Sequence, residues 1–168
     1  AGSTYLWSNG LQTQSITATT SGSYTVTVTN ASGCSATSVA TPVTVNALPV
    51  VASITGSSNV CTGSTTTLAS STTGGTWSSN NNAVATVSTT GVVTGVASGS
   101  VTITYSVTNA AGCTASATAS MTVNPSATAT IASGGATTFC TGGSVVLTAS
   151  AGSTYLWSNG LQTQSITA

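Results

Sequence analysis

The sequence predicts an all-β protein made of tandem β-sandwich modules in a repeat array, and two observations lead to this prediction. Residues 1–18 return letter for letter as residues 151–168, which sets a period of 150 residues. Apolar and polar residues alternate along most of the chain, and turn signals interrupt the alternation about every ten residues. Self-similarity at a fixed spacing is typical of an array in which each unit packs against its neighbours. We therefore expect a cut from a longer tandem polymer, or a subunit joined end to end.

A separate observation limits the function, because the 168 residues include no Lys, Arg, Asp, Glu or His. Acid–base catalysis by carboxylates or imidazole, Ser-His-Asp and Cys-His nucleophiles, and carboxylate calcium sites all lack their residues. Nucleic acid would find no cation for its phosphates. No apolar run approaches the roughly twenty residues of a membrane span. We expect no enzyme, no cofactor, no metal, no nucleic-acid partner and no membrane insertion. No signal peptide is visible, as in mature material.

Residues 47–124 are interpreted as one complete module, B. The run from Val101 to Thr108 places apolar side chains on one face and mostly hydroxyl side chains on the other, as in antiparallel sheets with one wet face. Turn signals such as Gly74-Gly75 and the Asn-rich segment 80–82 bound the runs. Strands are predicted at 50–55, 65–70, 75–79, 83–88, 91–96, 100–108 and 114–123.

The second module, A, is divided between the two ends of the sequence. Its opening part is 125–168, and its closing part is 1–46. Pro49 and Pro125 mark the two junctions, where a stiff residue without a backbone donor suits a short linker. Strands are predicted at 128–132, 144–150 and 154–158 in the opening part, and at 14–18, 22–30 and 35–45 in the closing part.

Each module has one early and one late cysteine. Val-Cys-Thr-Gly-Ser holds Cys61 and Phe-Cys-Thr-Gly-Gly holds Cys140, whereas Cys113 and Cys34 each follow a long alternating run. We expect an intrachain Cys61–Cys113 disulfide and a disulfide from Cys140 to Cys34 of the next unit, so that the modules are disulfide-stapled. Disulfides indicate an oxidising setting outside the cytoplasm. The alternatives are four free, buried thiols, or zinc, for which the spacing is poor.

Two sets of segments resemble known families. In module B they are Gly75–Ser79, Ala83–Ser88, Gly91–Gly99 and Val101–Tyr105, and in module A they are Tyr5–Gly10, Gln14–Ile16, Ser21–Val26 and Gly33-Cys34. The module B segments resemble the bacterial immunoglobulin-like (Ig-like) group 2 domain. The module A segments are similar to the Ig-like and PKD-like repeats of very long secreted surface proteins of Bacteroidota. The resemblance implies adhesins, surface arrays, stalks or fibres, and the lack of charge departs from such families and favours a fibre.

The aromatic residues have two interpretations. Three tryptophans fall on the expected third strand of a sandwich, where a core indole is usual, and one tyrosine begins a long strand as in a tyrosine corner. The alternative is a sugar-stacking platform, for which two other tyrosines are the better exposed candidates. The core set is Trp7, Trp77, Trp157 and Tyr24; the exposed candidates are Tyr5 and Tyr155. Asn30-Ala31-Ser32 is a lone glycosylation sequon, and threonine rows leave an ice-binding surface as a minor alternative.

The predicted function depends on sheet edges that carry no charged residues to prevent pairing with other chains. Natural sandwiches protect edge strands with Lys or inward-pointing charges, and this chain has neither. We expect a structural subunit or repeat of an extracellular filament or stalk, whose partners are other copies of itself, head to tail. The alternative is a repetitive cell-surface adhesin that binds glycans or other cells. Both interpretations place the protein outside the cell or on its surface.

Overall fold

The computed structural model describes residues 3–152 and 154–168. Within those residues the regular elements are strands and no helix forms, so none is long and apolar enough to cross a membrane. The all-β prediction is confirmed. The strands are β1 (Thr4–Trp7), β2 (Gly22–Tyr24), β3 (Val26–Thr29), β4 (Ser35–Thr37), β5 (Thr41–Val43), β6 (Asn59–Cys61), β7 (Thr65–Thr67), β8 (Thr76–Ser79), β9 (Ala85–Val87), β10 (Val92–Gly95), β11 (Gly99–Thr108), β12 (Thr114–Asn124), β13 (Ile131–Ser133), β14 (Val146–Ala149) and β15 (Ser165–Thr167).

The chain divides into two compact units. The first comprises residues 1–51 with 107–115, and the second comprises 52–106 with 116–168. In the first unit β1, β3 and β4 form an antiparallel sheet in which Trp7 lies opposite Val26. The short strands β2 and β5 pair separately, and Tyr24 lies opposite Thr41.

Module B is a sandwich of two sheets, with strand orders β7-β10-β9 and β6-β12-β11-β8. Strict alternation along β11 buries every second residue, with Val101, Ile103 and Tyr105 all below one-tenth exposed. Because both sheets contribute, a single apolar cluster lies between them. Its buried members are Val60, Leu68, Ala85, Val93, Val101, Ile103, Met121 and Val123.

The last sheet has the order β13-β14-β15 and lies in the second unit. Its central strand, β14, is antiparallel to both neighbours. This part of the chain has Val145 as its buried apolar residue, whereas Ile131 and Val146 are exposed. A three-stranded sheet with exposed apolar side chains has an incomplete core, since a sandwich needs a second sheet over it.

Some predicted strands differ from the observed ones. The strand predicted at 50–55 is reduced to one bridge between Thr55 and Ala69. The run predicted at 22–30 is interrupted at Thr25. The carbonyl oxygen of Thr25 accepts from Ser8 N, and the N–H of Thr25 donates to the hydroxyl of Ser8. The sequence does not predict strand β6, because three residues are too few to show an alternation of apolar and polar side chains. Parallel pairing with β12 stabilises this strand.

The expected Cys61–Cys113 disulfide is corrected by the structure, in which all four cysteines are free. Cys61 lies in register with Asn124, the last residue of β12, whereas Cys113 immediately precedes Thr114, the first. The eleven residues of β12 span about 36 Å at roughly 3.3 Å each, and disulfide Cα atoms lie within about 7 Å. The expected pair of Cys140 with Cys34 of the next unit involves a second copy of the chain, so it stays a prediction.

Candidate assembly site

The duplicated segment adopts two complementary states within one chain. In the first copy, Thr4–Trp7 forms β1 and pairs with β3, whereas residues 14–18 form no strand. In the second copy, Ser165–Thr167 forms β15 and pairs with β14, whereas residues 154–158 form no strand. Identical sequences therefore differ in structure according to the strands available beside them. Each copy lacks the pairing that the other has.

The turn inside the segment is the same in both copies. Trp7 N donates to Leu11 O at 2.8 Å, and its indole Nε1 donates to Thr13 O at 2.8 Å. In the second copy Trp157 N donates to Leu161 O at 2.9 Å, and the indole Nε1 donates to Thr163 O at 2.8 Å. These bonds are local, so they form without a neighbouring strand. The turn therefore has the same hydrogen bonds whether or not a strand pairs beside the segment.

The unpaired copy is more exposed. Leu6 is 49% exposed beside β3, and the equivalent Leu156 is 77% exposed without it. A groove of about 370 Å³ adjoins this stretch, lined by residues 127–131 together with Ala149, Tyr155 and Trp157 among others. Burial of apolar surface stabilises by roughly 25 cal/mol per Å², so covering this groove would be favourable.

Module B shows what a complete module contains. Its β8, β11 and β12 are neighbours in one sheet, as β1, β3 and β4 are in the first unit. The register agrees as well. Trp77 lies opposite Tyr105 and Trp7 lies opposite Val26, and each of these partners precedes the late cysteine of its module, Cys113 or Cys34, by eight residues. The sheet β1-β3-β4 is thus equivalent to the β8, β11 and β12 part of the module B sheet.

Both late cysteines end the same asparagine-capped turn. The Asn109 Oδ1 accepts from Ala111 N at 3.1 Å and from Cys113 N at 3.0 Å. The Asn30 Oδ1 accepts from Ser32 N and from Cys34 N, each at 3.0 Å. Sequence reasoning used Asn30 only as a sequon; the repeated Thr-Asn-Ala-x-Gly-Cys was the available signal for this turn.

The early cysteines also share a turn. Ser64 N donates to Cys61 O at 3.0 Å, and Gly143 N donates to Cys140 O at 2.9 Å. Cys61, Cys140 and Cys34 are exposed and Cys113 is half-buried. Among the described residues no three potential ligands cluster for a metal ion.

The tryptophans placed in the core by the sequence are half-buried. Trp77 packs against the module B cluster, with its ring centroid 4.6 Å from that of Tyr105. Tyr24 is half-buried, and its hydroxyl donates to Thr20 O at 3.0 Å. The two tyrosines considered as exposed aromatics, Tyr5 and Tyr155, are also half-buried.

Comparison with known proteins identifies the central domain. Residues 39–118 match the family described as bacterial Ig-like domain (group 2). This match agrees with the resemblance to that group predicted for module B. No sequence among the curated proteins matches the chain.

Two solved structures are similar to the chain. One is a C-terminal 282-residue fragment of intimin in complex with the intimin-binding domain of the translocated intimin receptor, at 19% identity and a TM-score of 0.32. The match covers 79% of this chain and 54% of that fragment. The other is surface layer protein SbsC, domains 1–6, at 22% identity and a TM-score of 0.31, covering 98% of this chain and 24% of that one. The chain thus spans about half of the first structure and a quarter of the second.

Proposed function

We propose that this chain is a repeat of an extracellular filament or stalk in which uncharged Ig-like modules A and B alternate along one polypeptide. The observation that carries the proposal is the duplicated segment. Its first copy has the strands that follow it, and its second copy has the strands that precede it. With a period of 150 residues, both copies represent one segment that makes both pairings at once in a longer array.

The completed module A follows from these pairings. Residues 154–157 take a strand equivalent to β3 from the next period, in the register of Leu6 opposite Thr27. The β1-β3-β4 sheet then covers the apolar face of β13-β14-β15, just as the two sheets of module B enclose one cluster. Each period in this way closes the module that the preceding period opened.

The absence of charge supports a structural role. The side chains offer no acid, base or cation with which to work on a substrate. Near-zero charge favours association, and edge strands without charged guards pair readily. Ser and Thr hydroxyls, 67 of the 168 residues, keep the outer faces polar. We place this filament outside the cell or on its surface.

Module completion is tested by extending the chain. Residues identical to 19–46 are appended after Ala168, and hydrogen exchange is measured at 154–157. The amides of Thr154 and Leu156, equivalent to the hydrogen-bonded positions Thr4 and Leu6 of β1, become protected in the extended chain and exchange freely in the 168-residue chain. The matched control carries proline at the appended position equivalent to Thr27. Ser8 N donates to Thr25 O, and hydrogen-bonded pairs recur every second residue in an antiparallel ladder, so Leu6 and Thr27 form the next such pair. Proline at the position of Thr27 removes the backbone N–H that this pair needs. Equal protection with the control, or none with the true extension, contradicts the proposal.

The filament itself is tested by electron microscopy of chains with one, two and three periods. The strand β12 is about 36 Å long, from eleven residues at roughly 3.3 Å each. Two modules laid end to end therefore add roughly 70–80 Å per period at constant width. Chains that thicken or collapse into globules as periods are added would refute a stalk.

A further inference from the structure

The two kinds of cysteine lie at opposite ends of a module. In module B, Cys61 lies in register with Asn124 at the end of the closing strand β12. Neighbouring strands lie about 4.8 Å apart, and Thr62 N donates to Asn124 O at 2.9 Å. The early cysteine therefore flanks the asparagine that ends its own module.

Asn46 is the equivalent asparagine of module A. Val45-Asn46 ends the closing part of A, as Val123-Asn124 ends module B. In a completed module A the early cysteine, equivalent to Cys140, lies beside Asn46. This step rests on the proposed array, in which the opening part of A comes from the preceding period.

The late cysteine of module B also lies at Asn46. The Cys113 Sγ is 3.8 Å from Asn46 O, and Asn109 Nδ2 donates to Ala47 O at 2.8 Å. Both contacts lie within the first compact unit, which holds 1–51 and the hairpin tip 107–115. Two cysteines from consecutive modules thus meet at one residue, the early one of A and the late one of B.

We propose that the disulfides of this protein join consecutive modules. Cys140 pairs with Cys113 of the next period, and Cys61 pairs with Cys34 of the next period. The shared turns make the two junctions equivalent, since Asn30 and Asn109 each cap a late cysteine in the same way. Each late cysteine is followed after 27 residues by the next early one, at 34–61 and at 113–140, so the two junctions contain the same length of chain between these cysteines.

The oxidation is an ordinary thiol–disulfide exchange. A thiolate attacks a low-molecular-weight or protein disulfide outside the cytoplasm, forming a mixed disulfide and releasing one thiol. The second cysteine of the junction attacks that mixed disulfide and releases the other thiol. One S–S bond forms in the filament, and the oxidant gains two electrons and two protons as two thiols.

The test is peptide mapping of a chain of two or more periods under non-reducing conditions. Cleavage after Tyr, Trp, Phe, Leu and Met separates the four cysteines into different peptides. Peptides linked Cys61–Cys34 and Cys140–Cys113 are expected. The 168-residue chain contains neither pair in the required order and retains four reactive thiols per molecule when dilute. Links Cys61–Cys113 or Cys140–Cys34, or unlinked cysteines in the oxidised array, overturn the inference.

The Cys61→Ser variant sharpens the result. Without its partner, Cys34 remains as one reactive thiol per internal period, and the Cys140–Cys113 link is unchanged. In the Cys140→Ser variant, Cys113 is the reactive thiol instead. Release of Cys113 by Cys61→Ser contradicts pairing across junctions. Protection of residues 154–157 in the same samples separates the two proposals. Protected strands with other disulfides refute only the cysteine pairing, whereas unprotected strands refute the array.

Discussion

Replacement of Tyr105 by phenylalanine removes one oxygen atom that ties two parts of module B together. The Tyr105 hydroxyl donates to Thr72 O at 2.8 Å and accepts from Gly75 N at 2.9 Å. These partners lie about thirty residues away in the turn before β8, and Tyr105 is 6% exposed on β11. Tyr105→Phe keeps the ring packed against Trp77 but leaves both backbone groups without this partner.

The expected cost is about 2 kcal/mol in the free energy of unfolding of module B, from two hydrogen bonds at about 1 kcal/mol each. For a domain of this size that corresponds to a decrease of about 8–16 °C in melting temperature. The assay is hydrogen exchange of the β8 and β11 amides across a urea titration of the full chain. Because only β8 and β11 amides are followed, the measured free energy of unfolding reports on module B and not on the other sheets.

Tyr155→Phe is the matched control. The Tyr155 hydroxyl also contacts a backbone N–H and a carbonyl, both of Gly152, at 3.1 and 3.0 Å. These bonds are exposed and span three residues, so their loss is expected to change stability by less than about 0.5 kcal/mol. Equal effects of the two substitutions, or a change below 0.5 kcal/mol for Tyr105→Phe, would refute the reasoning that the buried, long-range tie stabilises the sandwich.

Two further predictions concern packing and charge. A Cβ on Gly95 would lie 2.7 Å from Cys61 O and 2.9 Å from Val123 Cγ1, so Gly95→Ala is expected to cost about 1–3 kcal/mol by overpacking in the same urea titration. Gly135→Ala, where nothing lies within 4 Å, is the control and stays within about 0.5 kcal/mol. Because the side chains include no carboxylate, imidazole, amine or guanidinium, the free energy of unfolding is expected to stay within about 0.5 kcal/mol between roughly pH 3 and 8 and between about 0.05 and 0.5 M NaCl. A decline in acid or at high salt would contradict it.

Long alternating strands could be predicted from the sequence, and short ones could not. The predicted run 100–108 agrees with β11 to one residue, because one continuous dry face imposes strict alternation. Strand β6 has three residues and depends on a partner in β12, about sixty residues away. A local pattern carries no information about such a partner. Residues 154–157 show the same limit, since their sequence equals that of β1 and their structure does not.

The cysteines show why spacing alone misled. One early and one late cysteine recur in every module, so pairing within a module and pairing between modules produce the same repeating pattern along the chain. Only the strand register distinguishes them, because Cys61 lies at the end of β12 and Cys113 precedes its start. A link within a module would have to span the whole sandwich. A link across a junction needs the early cysteine to lie beside its own module's last asparagine, and the position of Cys61 opposite Asn124 meets that condition. In the proposed array, whose side chains offer no salt bridges, such links would resist axial pulling through covalent bonds across each junction.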